Sequence, residues 1–522
     1  VVTKSKLSSA DVEARSAELG TSPIMVVDRT GRPKVARVRS SVVLIDGLSN
    51  IDYSTHQNTI EVAERALLER VFFVPLEGGN FGPTPKAEPK LFNSRLKDFR
   101  RQLLRRMPKV YKTSYEEFVQ LYPPERRESM ARAAESLRWK KLCYADSFIS
   151  AFCKVEKTDF TSKHDPAPRL IQPRGARYNV ELGRYVKHVE HLIYERVGDV
   201  FGEPTISKGM NAQQVGRAMA MKYNKFGDTI MVGLDASRFD QHCGVPALKW
   251  EHSIYNAMYR HDPELRKLLL MQLRNRGYVR CDDGTIKYVL DGCRMSGDMN
   301  TALGNCLLMT ALVYAYMVSK GFSTREFSLI NNGDDCVLFL ERRDEGRIAD
   351  LTLWFREMGY TMKREPTERE LERATFCQGR TIWTGTDHVM VREVNKCISK
   401  DLLCVRSITT EEEWDAHRDA VSKCGLAMAA NIPVLGAFYE MLGRGARPGR
   451  IGARERSGMM YLAQGMSAKR LVTDECRTSF FKAFDVVPDV QRVMEEALNK
   501  YDAVYRPMVV GTGKSKARAF LP

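Results

Sequence analysis

The sequence predicts an α+β fold, and three observations predict it. Apolar, β-branched runs of strand length stand at residues 229–234, 327–330 and 336–340. Helical patterns separate and follow them, at 303–318 and 350–358, and beyond about residue 400 the chain reads mainly helical. The 522 residues, 43% apolar and 28% charged, have the composition of a folded chain and exclude global disorder. That length suggests about three structural units.

Charge narrows the class of partner. A formal net charge of +16 favours contact with a polyanion, either nucleic acid or an anionic membrane surface. The 12 cysteines are scattered without a CxxC pair, and Cys397 and Cys404, the closest two, match no zinc spacing, so a reduced intracellular compartment is expected. His188 and His191, three apart on an expected helix, read as an ordinary helix face because no further ligands converge on them. The chain starts at Val1 without a signal-peptide pattern, and the missing initiator Met suggests either a trimmed chain or a segment of a longer translation product. Residues 299–319 carry no charge and have the length of a membrane span. Asn300, Thr301, Asn305 and Thr310 interrupt the run, so a buried core helix is the expectation.

Along the chain, residues 1–50 alternate polar and β-branched runs such as Val42-Val43-Leu44-Ile45 and carry no nameable chemistry. Residues 91–112 are strongly basic, with Leu96, Phe99, Leu103 and Leu104 at helical spacing among Arg95, Lys97, Arg100, Arg101, Arg105, Arg106 and Lys109. This is a basic amphipathic helix, whose charged face is either solvated or set against nucleic acid. A second helix is expected over 129–141 and a mixed strand-loop region to about 180. Gly443-Arg444-Gly445-Ala446-Arg447-Pro448-Gly449-Arg450 is a poor helix former and reads as a loop, solvated or neutralising RNA phosphates. Gly511-Thr512-Gly513-Lys514-Ser515 imitates a phosphate-binding loop, but Met508 stands where that motif needs Gly and little chain follows. A basic tail touching RNA is the better reading.

The chemistry centres on Asn331-Asn332-Gly333-Asp334-Asp335, an acidic turn between two apolar strands. Asn and Gly suit a tight hairpin requiring positive φ. Two carboxylates held rigidly at its tip suit a hard divalent cation, and Asp235, ending another strand five residues before Asp240, would flank the same point. Cys281-Asp282-Asp283-Gly284 is a second acidic pair, read as a plain surface turn. In Ser296-Gly297-Asp298-Met299-Asn300-Thr301-Ala302-Leu303-Gly304-Asn305 a Gly-containing loop opens a helix, with Thr301 and Asn305 on one face. These groups suit a ribose, and Asp240 with Asn305 would read its 2′-hydroxyl; helix capping by Ser296 and core polar bonds are the plainer alternative. Lys154-Val155-Glu156-Lys157 and Arg169-Leu170-Ile171-Gln172-Pro173-Arg174 gather cations that suit a triphosphate or make a charged surface hairpin.

In this order the four elements resemble the F, A, B and C motifs of positive-strand RNA virus polymerases. The match is closest to the tombusvirus-like and luteovirus-like group of plant viruses. It rests on RLIQPR, GLDASRFDQH, SGDMNTALGN and NGDDCVLF, and covers roughly residues 140–400. The resemblance implies a right-hand polymerase with fingers, a palm made of a small antiparallel sheet with helices, and a helical thumb. Residues 1–90 would be an N-terminal extension bridging fingers and thumb, 91–230 fingers, 231–245 and 286–400 palm, 246–285 a fingers insertion, and 401–522 thumb and basic tail. It implies two Mg²⁺ or Mn²⁺ ions per active site on Asp235, Asp334 and Asp335. Asp240, Ser296, Thr301 and Asn305 would select the ribonucleotide, and Lys154, Lys157, Arg169 and Arg174 would line the nucleotide entry.

Gly359-Tyr360-Thr361-Met362-Lys363 resembles motif D, making Lys363 an acid for pyrophosphate, and Phe376-Cys377-Gln378 resembles motif E, which supports the primer strand. RNA contacts are expected at Arg100, Arg101, Arg105, Gly297, Arg444, Arg447 and Arg450. Implied partners are the viral RNA template and nascent strand, NTPs, a companion viral replication protein and host factors. Membrane association would be indirect, in replication complexes of the host cytoplasm. A reverse transcriptase and a catalytically idle RNA-binding protein are the rival functions; the ribose set argues against the first and the intact carboxylates against the second.

Overall fold

The computed structural model describes residues 7, 24–29, 51, 53–76, 80–162, 165–405, 408, 410–449, 458–467 and 471–503. The apolar run at 42–45, Arg450 and the stretch 511–515 lie outside them.

At the centre is a four-stranded antiparallel sheet in the order Phe327–Asn331, Asp335–Glu341, Thr229–Ala236, Met362–Glu368. Three of its strands read as nearly continuous apolar runs because both their faces are covered, whereas the edge strand Met362–Glu368 is mostly polar. Ile230, Val232, Leu234, Leu338 and Leu340 join one core with the helices Pro89–Arg106, Val245–Met258 and Thr301–Ser319. Met231, Val337 and Phe339, pointing the other way, join a second core with the helix Ala212–Tyr223 and the C-terminal helices. Successive side chains alternate between the two, as the pleat requires.

Thr301–Ser319 is long and apolar enough to cross a membrane, yet residues 303–317 are all buried, as a core helix demands. Pro89–Arg106 has Pro at its first position and buries Phe92, Leu96, Phe99 and Leu103. It stops six residues short of the expected end at 112, since Pro108 cannot continue a helix and biases its neighbour to extended backbone. The next long helix, Pro124–Trp139, starts earlier than expected, again on a proline suited to a first turn. His188 stands in a turn between the helices Ala176–Val186 and Glu190–Phe201 rather than on a helix.

A second sheet draws on distant stretches, in the order Met25–Arg29, Gly284–Asp291, Arg274–Cys281, Ile149–Cys153, Leu170–Ile171. Its hairpin 274–291 straddles residue 285, where the sequence division placed a boundary. The Asp282-Asp283 turn at its tip is also more than a surface turn. Asp282 N–H donates to the Asn58 carbonyl (2.9 Å), and Asp283 Oδ1 accepts from Ile60 N–H (2.8 Å), fastening the start of the helix Ile60–Leu67. A three-stranded sheet, Thr375–Phe376, Gly379–Trp383 and His388–Arg392, leads into the C-terminal helices. Glu411–Ala429, Leu435–Gly443, Asp474–Phe484 and Pro488–Lys500 are the longest of these.

Candidate active site

The acidic turn is a two-residue hairpin loop, closed by Asn332 N–H on the Asp335 carbonyl (2.9 Å). Gly333 takes its first position at φ +94°, which a side chain would strain. Buried Asn331 clasps the same glycine from below: Oδ1 accepts from Gly333 N–H (3.0 Å) and Nδ2 donates to its carbonyl (2.7 Å). Asp334 is therefore carried exposed at the tip, and Asp335 opens the return strand.

Across the sheet Asp335 lies opposite Asp235, and Lys363 lies opposite Asp235 on its other side. Opposed residues of antiparallel strands share a face, so the three form one row beside Asp334. Asp335 is half-buried and accepts a bond from Cys377 N–H (2.8 Å). Burial pushes its carboxyl up to about 6; the charges of Asp334 and Asp235 add to the rise and the Cys377 N–H opposes it.

This crowding of negative charge is what a cation would relieve. No three His, Cys, Asp or Glu side chains among the described residues form a metal cage by themselves. Mg²⁺ does not need one: it keeps waters and takes one or two carboxylates plus substrate phosphates. Because a ligating carboxyl must lose its proton, Mg²⁺ or Mn²⁺ affinity of the protein alone should strengthen as pH rises through about 6, with proton release. Calorimetry in two buffers of different ionisation heat checks this, and Asp335→Asn should flatten the dependence.

Beyond Asp235 the chain reverses through Arg238 (φ +51°) into the short helix Phe239–His242, which brings Asp240 back beside the row. Asn305 Nδ2 donates to Asp240 Oδ1 (2.7 Å), so the expected ribose pair is in contact. Burial raises the Asp240 carboxyl, against the Asn305 bond and the nearby Arg294 charge.

Other expected ribose groups are engaged elsewhere. Ser296 Oγ donates to the Leu170 carbonyl (3.2 Å) and accepts from Gln172 N–H (3.1 Å). Thr301 Oγ1 shares its single hydrogen between the carbonyls of Met295 (2.8 Å) and Asp298 (3.0 Å). The Thr301 hydroxyl closes the loop that opens the helix, and the Ser296 hydroxyl ties that loop to the 170–174 segment. Gly297, expected at RNA, meets that segment too: a Cβ there would lie 2.6 Å from Pro173 Cα.

The cationic segment divides. Lys154 (3.0 Å) and Arg169 (2.8 Å) both bind Glu156, and Arg169, half exposed, also feels Asp334 and Asp240. Lys157 instead donates its buried amine to the carbonyls of Lys400 (2.9 Å) and Leu403 (2.7 Å), and burial lowers it to about 8. Arg174 is likewise engaged inside the protein. Its side chain is 1% exposed, bound to Asp298 (2.5 Å), Asn275 Oδ1 (2.6 Å) and the Ser147 carbonyl (2.8 Å). Lys363 is an exposed strand residue bonded to Glu365 (2.6 Å), a contact that raises its pKa.

The family model described as viral RNA dependent RNA polymerase matches residues 25–504. This chain belongs to that family. It is 40% identical over 475 residues to the RNA-directed RNA polymerases of Cymbidium ringspot virus and of Tomato bushy stunt virus (strain Cherry), covering 91% of this chain and 57% of each relative. With the RNA-directed RNA polymerase of Turnip crinkle virus it is 38% identical over 487 residues, 91% of this chain and 61% of that protein. The chain thus spans less than two thirds of the length of these relatives. The resemblance drawn from the four motifs is borne out, and its tombusvirus-like side is well represented.

Of the arginines expected to meet RNA in this polymerase-family chain, Arg105 is exposed on Pro89–Arg106. Arg100 is bonded to Ser253 (2.8 Å) and Arg101 to Asp98. Arg444 donates to the Tyr501 carbonyl (3.2 Å), and Arg447, though largely exposed, binds Asp415 (2.8 Å). The sequence reading missed Arg294 and Glu251, a buried ion pair behind Asn305. A lone Arg between Cys293 and Met295 was the available signal, since a buried charge must find a partner.

Proposed function

We propose that this chain is the catalytic portion of an RNA-directed RNA polymerase that copies a positive-strand plant-virus genome by two-metal nucleotidyl transfer. The observation that carries the reading is the register opposing Asp235 and Asp335, with Asp334 at the adjoining tip and Asp240–Asn305 alongside. In this proposal the four-stranded sheet is the palm. The five-stranded sheet with its helices belongs to the fingers, the helices beyond residue 400 form the thumb, and residues 1–90 bridge the two.

Asp235 and Asp334 would hold two Mg²⁺ or Mn²⁺ ions, with Asp335 assisting. When bound, such ions activate a 3′-hydroxyl and stabilise departing pyrophosphate. Arg169 and Lys154 exchange Glu156 for the triphosphate of an incoming NTP, a charge-assisted contact that also positions it. The Asp240 carboxylate accepts a bond from the 2′-hydroxyl. Lys363, one strand from Asp235, gives a proton to the leaving group. A viral template, a companion replication protein, host factors and indirect residence on cytoplasmic membranes complete the proposal.

Extension of a short template with and without primer tests it, using NTPs or dNTPs and Mg²⁺ or Mn²⁺. The native protein should incorporate NTPs, and Asp235→Ala should not. Activity surviving the substitution sinks the metal assignment. Preferential dNTP use points to a reverse transcriptase, and RNA binding without product to an idle scaffold.

A further inference from the structure

Resting on that reading, we infer that Arg294, held by Glu251, is a positioning residue that sets the orientation of the ribose-reading pair and thereby the discrimination between NTP and dNTP. Arg294 touches both members of the pair. Its backbone N–H donates to the Asp240 carbonyl (2.8 Å), and its Nε donates to Asn305 Oδ1 (3.0 Å). A guanidinium has donors only, so the Asn305 amide oxygen must face it. The Asn305 NH₂ is thereby turned to Asp240 Oδ1 (2.7 Å), leaving the other carboxylate oxygen for a hydroxyl donor. An amide free to flip would bring its own oxygen against the carboxylate and remove this polarity.

The aim of Arg294 is fixed in turn. Its remaining nitrogens grip Glu251, and the two side chains are 1% and 0% exposed. Glu251 is oriented by Tyr255 OH (2.8 Å) and Asn300 Nδ2 (2.7 Å), and Asn300 accepts from Gln272 (2.8 Å), which meets His252 (3.0 Å). The helix bearing Asn305 carries glycine at the crossing. A Cβ on Gly304 would lie 2.5 Å from both Arg294 and Glu251, so the ion pair passes against the helix backbone one residue before the amide it orients. Charge neutralisation alone would not need the Nε bond; a fixed amide does.

The test compares kcat/KM for NTP and dNTP in the native protein, Arg294→Lys and Glu251→Asp. Both variants keep the buried pair neutral; the first removes the Nε donor and the second draws the guanidinium away from Asn305. Each should lower NTP-over-dNTP discrimination about tenfold, the worth of one well-made hydrogen bond, mainly by weakening NTP use, since only the NTP carries the 2′-hydroxyl. Thermal melting is followed alongside. Native discrimination in both variants, whatever their melting points, overturns the inference. Should one variant fail to fold, the other decides. Absence of NTP incorporation by the native protein overturns the proposed function itself, a separate outcome.

Discussion

Asp334→Ala should abolish RNA synthesis and leave the melting temperature nearly unchanged. The carboxylate stands exposed at the tip of a loop whose shape is held by Asn331, Gly333 and the Asn332–Asp335 backbone bond, none of which involves its side chain. Surface substitutions of this kind usually alter stability by no more than about 0.5 kcal/mol. The chemical loss should be far larger. Removing a preorganised charge from a site of phosphoryl transfer costs about 10²–10³-fold for a single donor, and a carboxylate that also positions a cation contributes more. Asp335→Asn should be milder, because that residue already gives one oxygen to Cys377 N–H and an amide can still accept there. Primer extension with melting curves ranks the two. An Asp334→Ala rate within tenfold of native would remove Asp334 from the centre of the site.

Arg174→Ala should damage the fold itself. The substitution strands Asp298 without its cation in a buried position and also leaves Asn275 and the Ser147 carbonyl without a donor. Removing one partner of a buried pair costs about 3–5 kcal/mol, since the charge left behind stays desolvated. That is a large share of a typical domain's stability. Arg169→Ala is the informative contrast: half exposed and ion-paired with Glu156, it should melt near the native temperature and raise the KM for NTPs. Denaturant unfolding of both variants, with steady-state NTP kinetics, separates the roles. If Arg174→Ala unfolds like the native chain and loses only NTP affinity, the buried description of that side chain is wrong.

These two arginines show where the sequence was informative. Both sit in one short cationic segment, and residue type alone made them equivalent. What divides them is the Ser296–Asp298 loop packing onto residues 170–174, a contact more than a hundred residues away along the chain. The same packing engages Ser296 and requires a glycine at 297. The contacts of Lys157 were hidden for the same reason, since the 400–403 carbonyls it meets carry no pattern to read. By contrast, the acidic hairpin, its strands and the Asp240–Asn305 pair were legible. Runs buried on both faces are apolar throughout, and a turn needing positive φ announces itself in Asn and Gly. The five-stranded sheet was not, because its strands come from four separated stretches and pairing at that distance leaves no local trace.

That sheet also has a consequence for the order of events on a ribosome. Met25–Arg29 sits at its edge, and its strand neighbour is Gly284–Asp291. At roughly 5–20 residues per second, about 13–50 s of translation separate the two. For that interval the early strand exists without its template. A nascent chain halted before residue 284 therefore holds an unmated strand, exposed to chaperones and proteases alike, and Met25–Arg29 waits for a partner made about 250 residues later.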